Sequence, residues 1–90
     1  MSGTSRTVLI SNRRGLHARA SAKLVTLASS QAVPVTVEKN GSAVTATSIM
    51  GLMMLGAAMG DSITISAEGD GAEDAVAALA KLVEDRFGED

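Results

Sequence analysis

The stretch Gly15-Leu16-His17-Ala18-Arg19-Ala20 lies at the junction between a short apolar strand, predicted over residues 7–10, and a helix, predicted over residues 17–30. It contains the one histidine of the chain, with a glycine two residues before it and an arginine two residues after it. Imidazole titrates near neutral pH, and the first turn of a helix leaves backbone N–H groups free to bind an anion. This junction therefore predicts a nucleophile beside a phosphate-binding helix end.

The rest of the chain supplies three further strands. Alternating polar and apolar residues predict strands over residues 34–39, 42–46 and 61–67. Asn40 and Gly41 separate the first two of these strands, and both residues accept positive φ angles, which predicts a hairpin turn. Such alternation favours an antiparallel sheet with one face buried.

Two further helices are predicted in the second half of the chain. Ser48 suits the N-cap of a short apolar helix. Apolar residues at helical spacing predict a last helix, and Asp70 followed by Glu73 resembles a capping box at its start. The order βαββαβα therefore predicts one two-layer α+β domain over residues 1–90, with a flexible tail at residues 1–5.

Composition narrows the possible classes of protein. The 90 residues are 46% hydrophobic, which is enough for a packed core. The absence of cysteine excludes disulfides and thiolate metal sites, and with one histidine we expect no metal and no other cofactor. No apolar run reaches the roughly 20 residues that span a bilayer, and the N-terminus lacks the apolar core of a secretory signal. We therefore expect a cytoplasmic protein without membrane insertion.

Charge is distributed unevenly along the chain. The net charge is −2, yet residues 1–30 carry five basic and no acidic residues, whereas residues 61–90 carry nine acidic and two basic ones. The basic first segment favours a phosphate group or an acidic protein as its partner. Nucleic acid is not expected as a partner, because Phe87 is the only aromatic residue and the whole chain is acidic.

Two segments carry a resemblance to a known family. Gly15-Leu16-His17-Ala18-Arg19-Ala20-Ser21 is similar to the active-site signature of the HPr family, the histidine-containing phosphocarriers of the bacterial phosphoenolpyruvate-dependent phosphotransferase system. Ser48-Ile49-Met50-Gly51-Leu52-Met53-Met54-Leu55-Gly56 independently resembles the regulatory-serine segment of that family, at the matching distance along the chain. With the strand and turn at residues 63–69, the resemblance extends over residues 6–87.

This resemblance implies both a fold and an activity. The family fold is an open-faced β-sandwich, with a four-stranded antiparallel sheet in the order 1-4-2-3 and three helices on one face. In the family activity, Enzyme I passes a phosphoryl group to Nδ1 of the histidine that matches His17, and the carrier hands it to EIIA-type domains. The resemblance thus implies a phosphoryl carrier without turnover of its own, not an independent enzyme.

The residues around His17 favour this chemistry on physical grounds. The positive end of the helix dipole favours the neutral imidazole as a nucleophile. The backbone N–H groups of Ala18 and Arg19 can bind phosphoryl oxygens, and the Arg19 side chain can add charge-assisted hydrogen bonds. Ala20 stands where many members of the family have proline, which predicts a slightly looser start to the helix.

The segment that begins at Ser48 predicts a second modification site and a partner surface. The serine that matches Ser48 is phosphorylated by HPr kinase/phosphorylase in some bacteria, so the resemblance makes it a candidate for regulation besides its N-cap role. The helix that follows is apolar on every side, and a surface helix cannot bury every face. We therefore expect Ile49, Met50 and Met53 to be exposed and to dock partner proteins.

Two other functions stay open at this stage. A regulatory protein of a nitrogen-related branch of the phosphotransferase system would carry similar motifs, and its phosphorylation state would control partner proteins rather than sugar uptake. A small phosphatase would need a second group to activate water, and the sequence offers none near His17. The partners expected for the carrier are Enzyme I, EIIA-type domains and, in some bacteria, HPr kinase/phosphorylase, and we expect a monomer.

Overall fold

The computed structural model describes residues 3–89, in which four strands and three α-helices follow one another along the chain. The strands are β1 (Gly3–Leu9), β2 (Thr36–Lys39), β3 (Ser42–Thr45) and β4 (Ser62–Glu68), and the helices are α1 (Ala18–Ser29), α2 (Ile49–Met54) and α3 (Ala72–Glu84). A short turn, Arg86–Gly88, follows α3. The predicted βαββαβα order is confirmed.

The strands form one sheet in the order β1-β4-β2-β3, with each neighbouring pair antiparallel, which confirms the expected topology. Val37 of β2 lies opposite Ile65 of β4, and both side chains are completely buried under the helices. On the other face, the hydroxyl groups of Thr7 and Thr64 are 3.0 Å apart and exposed. The sheet therefore has one apolar face and one open polar face, as its alternating sequence predicts.

The core lies between the sheet and the helices. α3 packs against β1 and β4, while α1 packs against α2 and α3. Helical spacing predicts that Leu27 of α1 and Leu82 of α3 lie on the buried faces, but both are only partly buried. Ser21 and Ala80 are buried instead, although neither belongs to the predicted apolar faces. Within residues 3–89, no helix is both long enough and apolar enough to cross a bilayer.

The first strand is longer at its N-terminal end than the sequence predicts. Residues 3–5, predicted to belong to a flexible tail, pair with β4, and Gly3 lies opposite Glu68. Met1 and Ser2, the other residues of that predicted tail, lie outside the described residues. β1 is an edge strand that is largely exposed over residues 3–7, so it lacks the apolar alternation by which a buried strand is recognised.

The predicted capping box at the start of α3 is wrong. The N-cap is Gly71, with a φ of +92°, and no side chain caps the helix there. The chain thus enters α3 through a left-handed glycine one residue beyond Asp70, and acidic residues of the first turn, Glu73 and Asp74, complement the helix dipole instead.

The second strand also differs from its prediction: β2 begins at Thr36, two residues later than predicted.

Candidate functional site

The loop before α1 is held against the segment that follows α2. Gly15 has a φ of +63°, in the left-handed region that favours glycine. A side chain at this position would collide with the backbone carbonyl of Ala57. The next residue, Leu16, is buried and donates its N–H to the same carbonyl oxygen at 2.9 Å. These contacts fix the point at which the chain enters α1.

His17 is the N-cap of α1 and uses both of its ring nitrogens. Nδ1 accepts a hydrogen bond of 3.2 Å from the backbone N–H of Arg19. Nε2 lies 3.0 Å from each carboxylate oxygen of Glu89. A carboxylate only accepts hydrogen bonds and a backbone N–H only donates them, so the neutral imidazole with its proton on Nε2 satisfies both contacts. This tautomer leaves the Nδ1 lone pair facing the N-terminus of α1.

Glu89 and Asn12 belong to the same cluster, although the sequence analysis identified neither. Nδ2 of Asn12 donates to Oε1 of Glu89 at 3.0 Å and to the carbonyl oxygen of Gly15 at 2.9 Å. The hydrogen bond from Asn12, and then the contact with His17, hold the pKa of Glu89 below its usual range against the opposing effect of burial. The site therefore contains an ionised carboxylate beside the imidazole at neutral pH.

The residues predicted to bind phosphate, Ala18 and Arg19, lie at the N-terminus of α1, and their role in binding stays a prediction. Ala18 and Arg19 are the first two residues of α1, so their N–H groups have no partner in the helical ladder. Both residues are exposed, as are Arg13 and Arg14 in the preceding loop. Among residues 3–89, no three His, Cys, Asp or Glu side chains are grouped so that they could hold a metal ion. The loop and the helix start on either side of His17 thus carry three exposed arginines that can attract an anion, besides the Glu89 carboxylate that contacts the ring.

Ser48 is the N-cap of α2, as predicted. Its Oγ accepts a hydrogen bond of 3.0 Å from the backbone N–H of Gly51, and its carbonyl oxygen accepts one of 3.0 Å from Leu52. The hydroxyl is partly buried at the start of a helix that packs beside α1. The two predicted modification sites therefore both lie at helix N-termini, on neighbouring helices.

The outer face of α2 is apolar and exposed. Met50 is 68% exposed, and Ile49 and Met53 are about 40% exposed, as the sequence predicts. Met54 is also exposed, whereas Leu52 is completely buried. We call the exposed side chains of α2 the apolar surface; its members are Ile49, Met50, Met53 and Met54.

Comparisons with known proteins show which family this chain is similar to. A family model described as "PTS HPr component phosphorylation site" matches residues 4–85. Phosphocarrier protein HPr of Cupriavidus necator is 46% identical over 93% of this chain and 94% of its own length. Phosphocarrier protein NPr of Shewanella violacea is 39% identical over 99% of this chain and 98% of its own.

A solved structure supports the same relationship. The crystal structure of HPr-C-His from Thermoanaerobacter tengcongensis superimposes with a TM-score of 0.91 at 45% sequence identity, covering 97% of this chain and 98% of that one. The family match over residues 4–85, the similar sequences and the similar solved structure therefore all indicate the same family. The chain belongs to the HPr family, the phosphocarrier proteins of the phosphotransferase system.

Proposed function

We propose that this phosphocarrier accepts a phosphoryl group from Enzyme I on Nδ1 of His17 and passes it to EIIA-type domains. The observation that supports this most strongly is the state of the ring: Nε2 faces the Glu89 carboxylate, which leaves the Nδ1 lone pair at the N-terminus of α1, where it accepts a hydrogen bond from the Arg19 N–H. A neutral nitrogen nucleophile is what attack on phosphorus requires.

The start of α1 can receive the transferred group. The N–H of Arg19, which donates to Nδ1 in the free protein, and that of Ala18 can donate to phosphoryl oxygens once Nδ1 is bonded to phosphorus. The exposed Arg19 guanidinium can add charge-assisted hydrogen bonds to the same oxygens. Phosphoryl transfer depends mainly on positioning and charge stabilisation, so these few groups suffice for a carrier that docks on its enzymes.

Labelling by Enzyme I and phosphoenolpyruvate tests this assignment. Mass spectrometry should find one added, acid-labile phosphoryl group on the wild type and none on His17→Ala. Arg19→Ala should be labelled roughly 100-fold more slowly, whereas Arg6→Ala, which removes an exposed arginine on β1, should be labelled at the wild-type rate. Labelling of His17→Ala would exclude His17 as the acceptor.

We also propose that the apolar surface docks Enzyme I and that phosphorylation of Ser48 regulates this docking. A phosphate on Ser48 adds a charge of about −2 next to Ile49 and Met50. Ser48→Asp and Met50→Lys should therefore both slow phosphorylation of His17, while Leu9→Lys, which alters an exposed apolar residue of β1, should not. HPr kinase/phosphorylase with ATP should label the wild type with acid-stable phosphate, and labelling of Ser48→Ala would rule out this site.

The similarity to an NPr protein over 99% of the chain favours a second candidate function. In this alternative, the phosphorylation state of the carrier controls partner proteins rather than sugar uptake. The phosphorylated protein should be offered EIIA-type domains of both branches in parallel. Faster transfer to the sugar-specific domain supports transport, and faster transfer to the nitrogen-related domain supports regulation.

A further inference from the structure

The chain after α3 turns back sharply and brings Glu89 beside His17. Arg86, Phe87 and Gly88 have φ angles of +58°, +55° and +75°, so three successive residues lie in the left-handed region. Such conformations are costly for residues other than glycine and persist only where the surrounding structure enforces them. The turn places Glu89 against a histidine 72 residues earlier in the sequence.

Three separate contacts hold this C-terminal turn in place. The Phe87 side chain is 1% exposed and packs into the core. The ammonium of Lys23, on α1, donates to the carbonyl oxygen of Phe87 at 2.6 Å. The amide of Asn12, which is completely buried, donates to the Glu89 carboxylate from the loop before His17. Glu89 is thus fixed from the core, from α1 and from the loop that delivers the imidazole.

We propose that Glu89 is a positioning residue for phosphoryl transfer through His17. By accepting a hydrogen bond at 3.0 Å it keeps the ring proton on Nε2, and it thereby presents the Nδ1 lone pair to phosphorus. The side chains of His17 and Glu89 are only 13% and 22% exposed, so water competes weakly for this contact. This inference rests on the proposed carrier function.

The transfer step balances without moving a proton. The Nδ1 lone pair forms the new bond to phosphorus, while the bond from phosphorus to its donor atom breaks and its electron pair stays with the donor. The proton remains on Nε2, so the phosphorylated ring carries a positive charge that the Glu89 carboxylate faces. When the group moves on to an acceptor, the electron pair returns to Nδ1 and the ring is again neutral with its proton on Nε2.

The tautomer of His17 can be observed directly. Nitrogen-15 NMR of the neutral ring should show the Nε2–H form in the wild type. Glu89→Ala should raise the fraction of the Nδ1–H form and slow phosphorylation by Enzyme I about tenfold. Glu89→Gln retains an amide oxygen as acceptor, so it should restore the wild-type tautomer while regaining only part of the rate.

Glu84→Gln is the matched control, because Glu84 is exposed and pairs with Arg6 at 3.7 Å, away from the ring. It should leave both the spectrum and the rate unchanged. A wild-type tautomer ratio in Glu89→Ala, or a wild-type rate despite an altered ratio, would overturn the proposal. Failure of Enzyme I to label even the wild type would instead overturn the carrier function, since the tautomer is measured without any phosphoryl donor.

Discussion

Lys23 and Phe87 join the first helix to the C-terminal turn through a hydrogen bond of 2.6 Å from the ammonium to the carbonyl oxygen. Lys23 lies on the same helix that His17 caps, and Phe87 lies two residues before Glu89. One bond therefore couples the helix that carries the imidazole to the segment that carries its carboxylate partner. The stability of the site thus depends on a contact that touches neither functional group.

Lys23→Met tests this coupling, because it keeps the aliphatic stem and removes the ammonium. We expect the free energy of unfolding to fall by about 1 kcal/mol. This is less than a hydrogen bond from a charged donor usually contributes, because Lys23 is exposed. The backbone N–H of Glu89, which donates to the Arg86 carbonyl oxygen at 2.9 Å, should exchange its hydrogen faster in this variant than in the wild type. Lys81→Met, which removes an exposed pair with Asp85, is the control, and unchanged exchange at Glu89 in Lys23→Met would contradict the coupling.

Gly15→Ala should destabilise the protein by about 3 kcal/mol, because the new side chain meets both a left-handed φ and the backbone of Ala57. Gly41→Ala is a matched control: its φ is +86°, but nothing lies within 4 Å of the added carbon. It should cost only about 1 kcal/mol, the penalty of the backbone conformation alone. Urea unfolding of both variants measures the difference, and equal losses would show that the contact with Ala57 is unimportant.

Ser48→Ala should lower the free energy of unfolding by about 1 kcal/mol, since it removes the acceptor for the Gly51 N–H. Ser48→Asp should retain most of the stability, because a carboxylate also caps the helix and suits its dipole. Thermal unfolding separates this structural role from regulation: the aspartate variant should be stable yet slowly phosphorylated on His17. Ser29→Ala, which removes an exposed hydroxyl bonded within α1, should change stability little, and a loss as large as that of Ser48→Ala would argue against capping.

The sequence predicts those parts of the molecule that local patterns determine. Ile63 and Ile65 alternate with polar residues, so β4 and its buried face follow directly. The N-cap Ser48 is recognised because a cap acts within three residues of the chain, and the first helix begins at Ala18, one residue after its predicted start at His17. Asp70 shows the limit of such reasoning. The spacing of Asp70 and Glu73 fits a capping box, but the N-cap of α3 is the left-handed Gly71, one residue later.

The carboxylate partner of His17 could not be predicted, because no local pattern links positions so far apart. Glu89 follows the last helix in an acidic stretch, where nothing in the sequence distinguishes it from the other acidic residues. Its position depends on a turn through Phe87, a residue recognisable only as an apolar helix end, and on Asn12, a polar loop residue that is completely buried. Such a site emerges from tertiary packing, in which three distant segments meet.

The pH dependence of stability should reveal the Glu89 contact independently of phosphorylation. Asn12 first, and then His17, lower the pKa of Glu89 in the folded protein, whereas in the unfolded chain it returns to about 4.3. A carboxyl group with a depressed folded pKa stabilises the protein fully above its unfolded pKa, and this contribution is lost as the pH falls through the folded pKa. The wild type should therefore exceed Glu89→Gln in stability at pH 6, and the difference should shrink steadily below about pH 4.

Measuring this difference between the two proteins isolates the contribution of Glu89. The pKa of Asp61 is also lowered, by a hydrogen bond of 2.9 Å from the Ala58 N–H, but that group is the same in both proteins. Urea unfolding between pH 2 and pH 7 provides the two curves. Glu84→Gln, which removes an exposed carboxylate on α3, is the control for the loss of one negative charge. If the difference in the free energy of unfolding between the wild type and Glu89→Gln were constant across this range, the carboxylate would not be ionised against Asn12 and His17. The explanation of the ring tautomer would then lose its electrostatic basis.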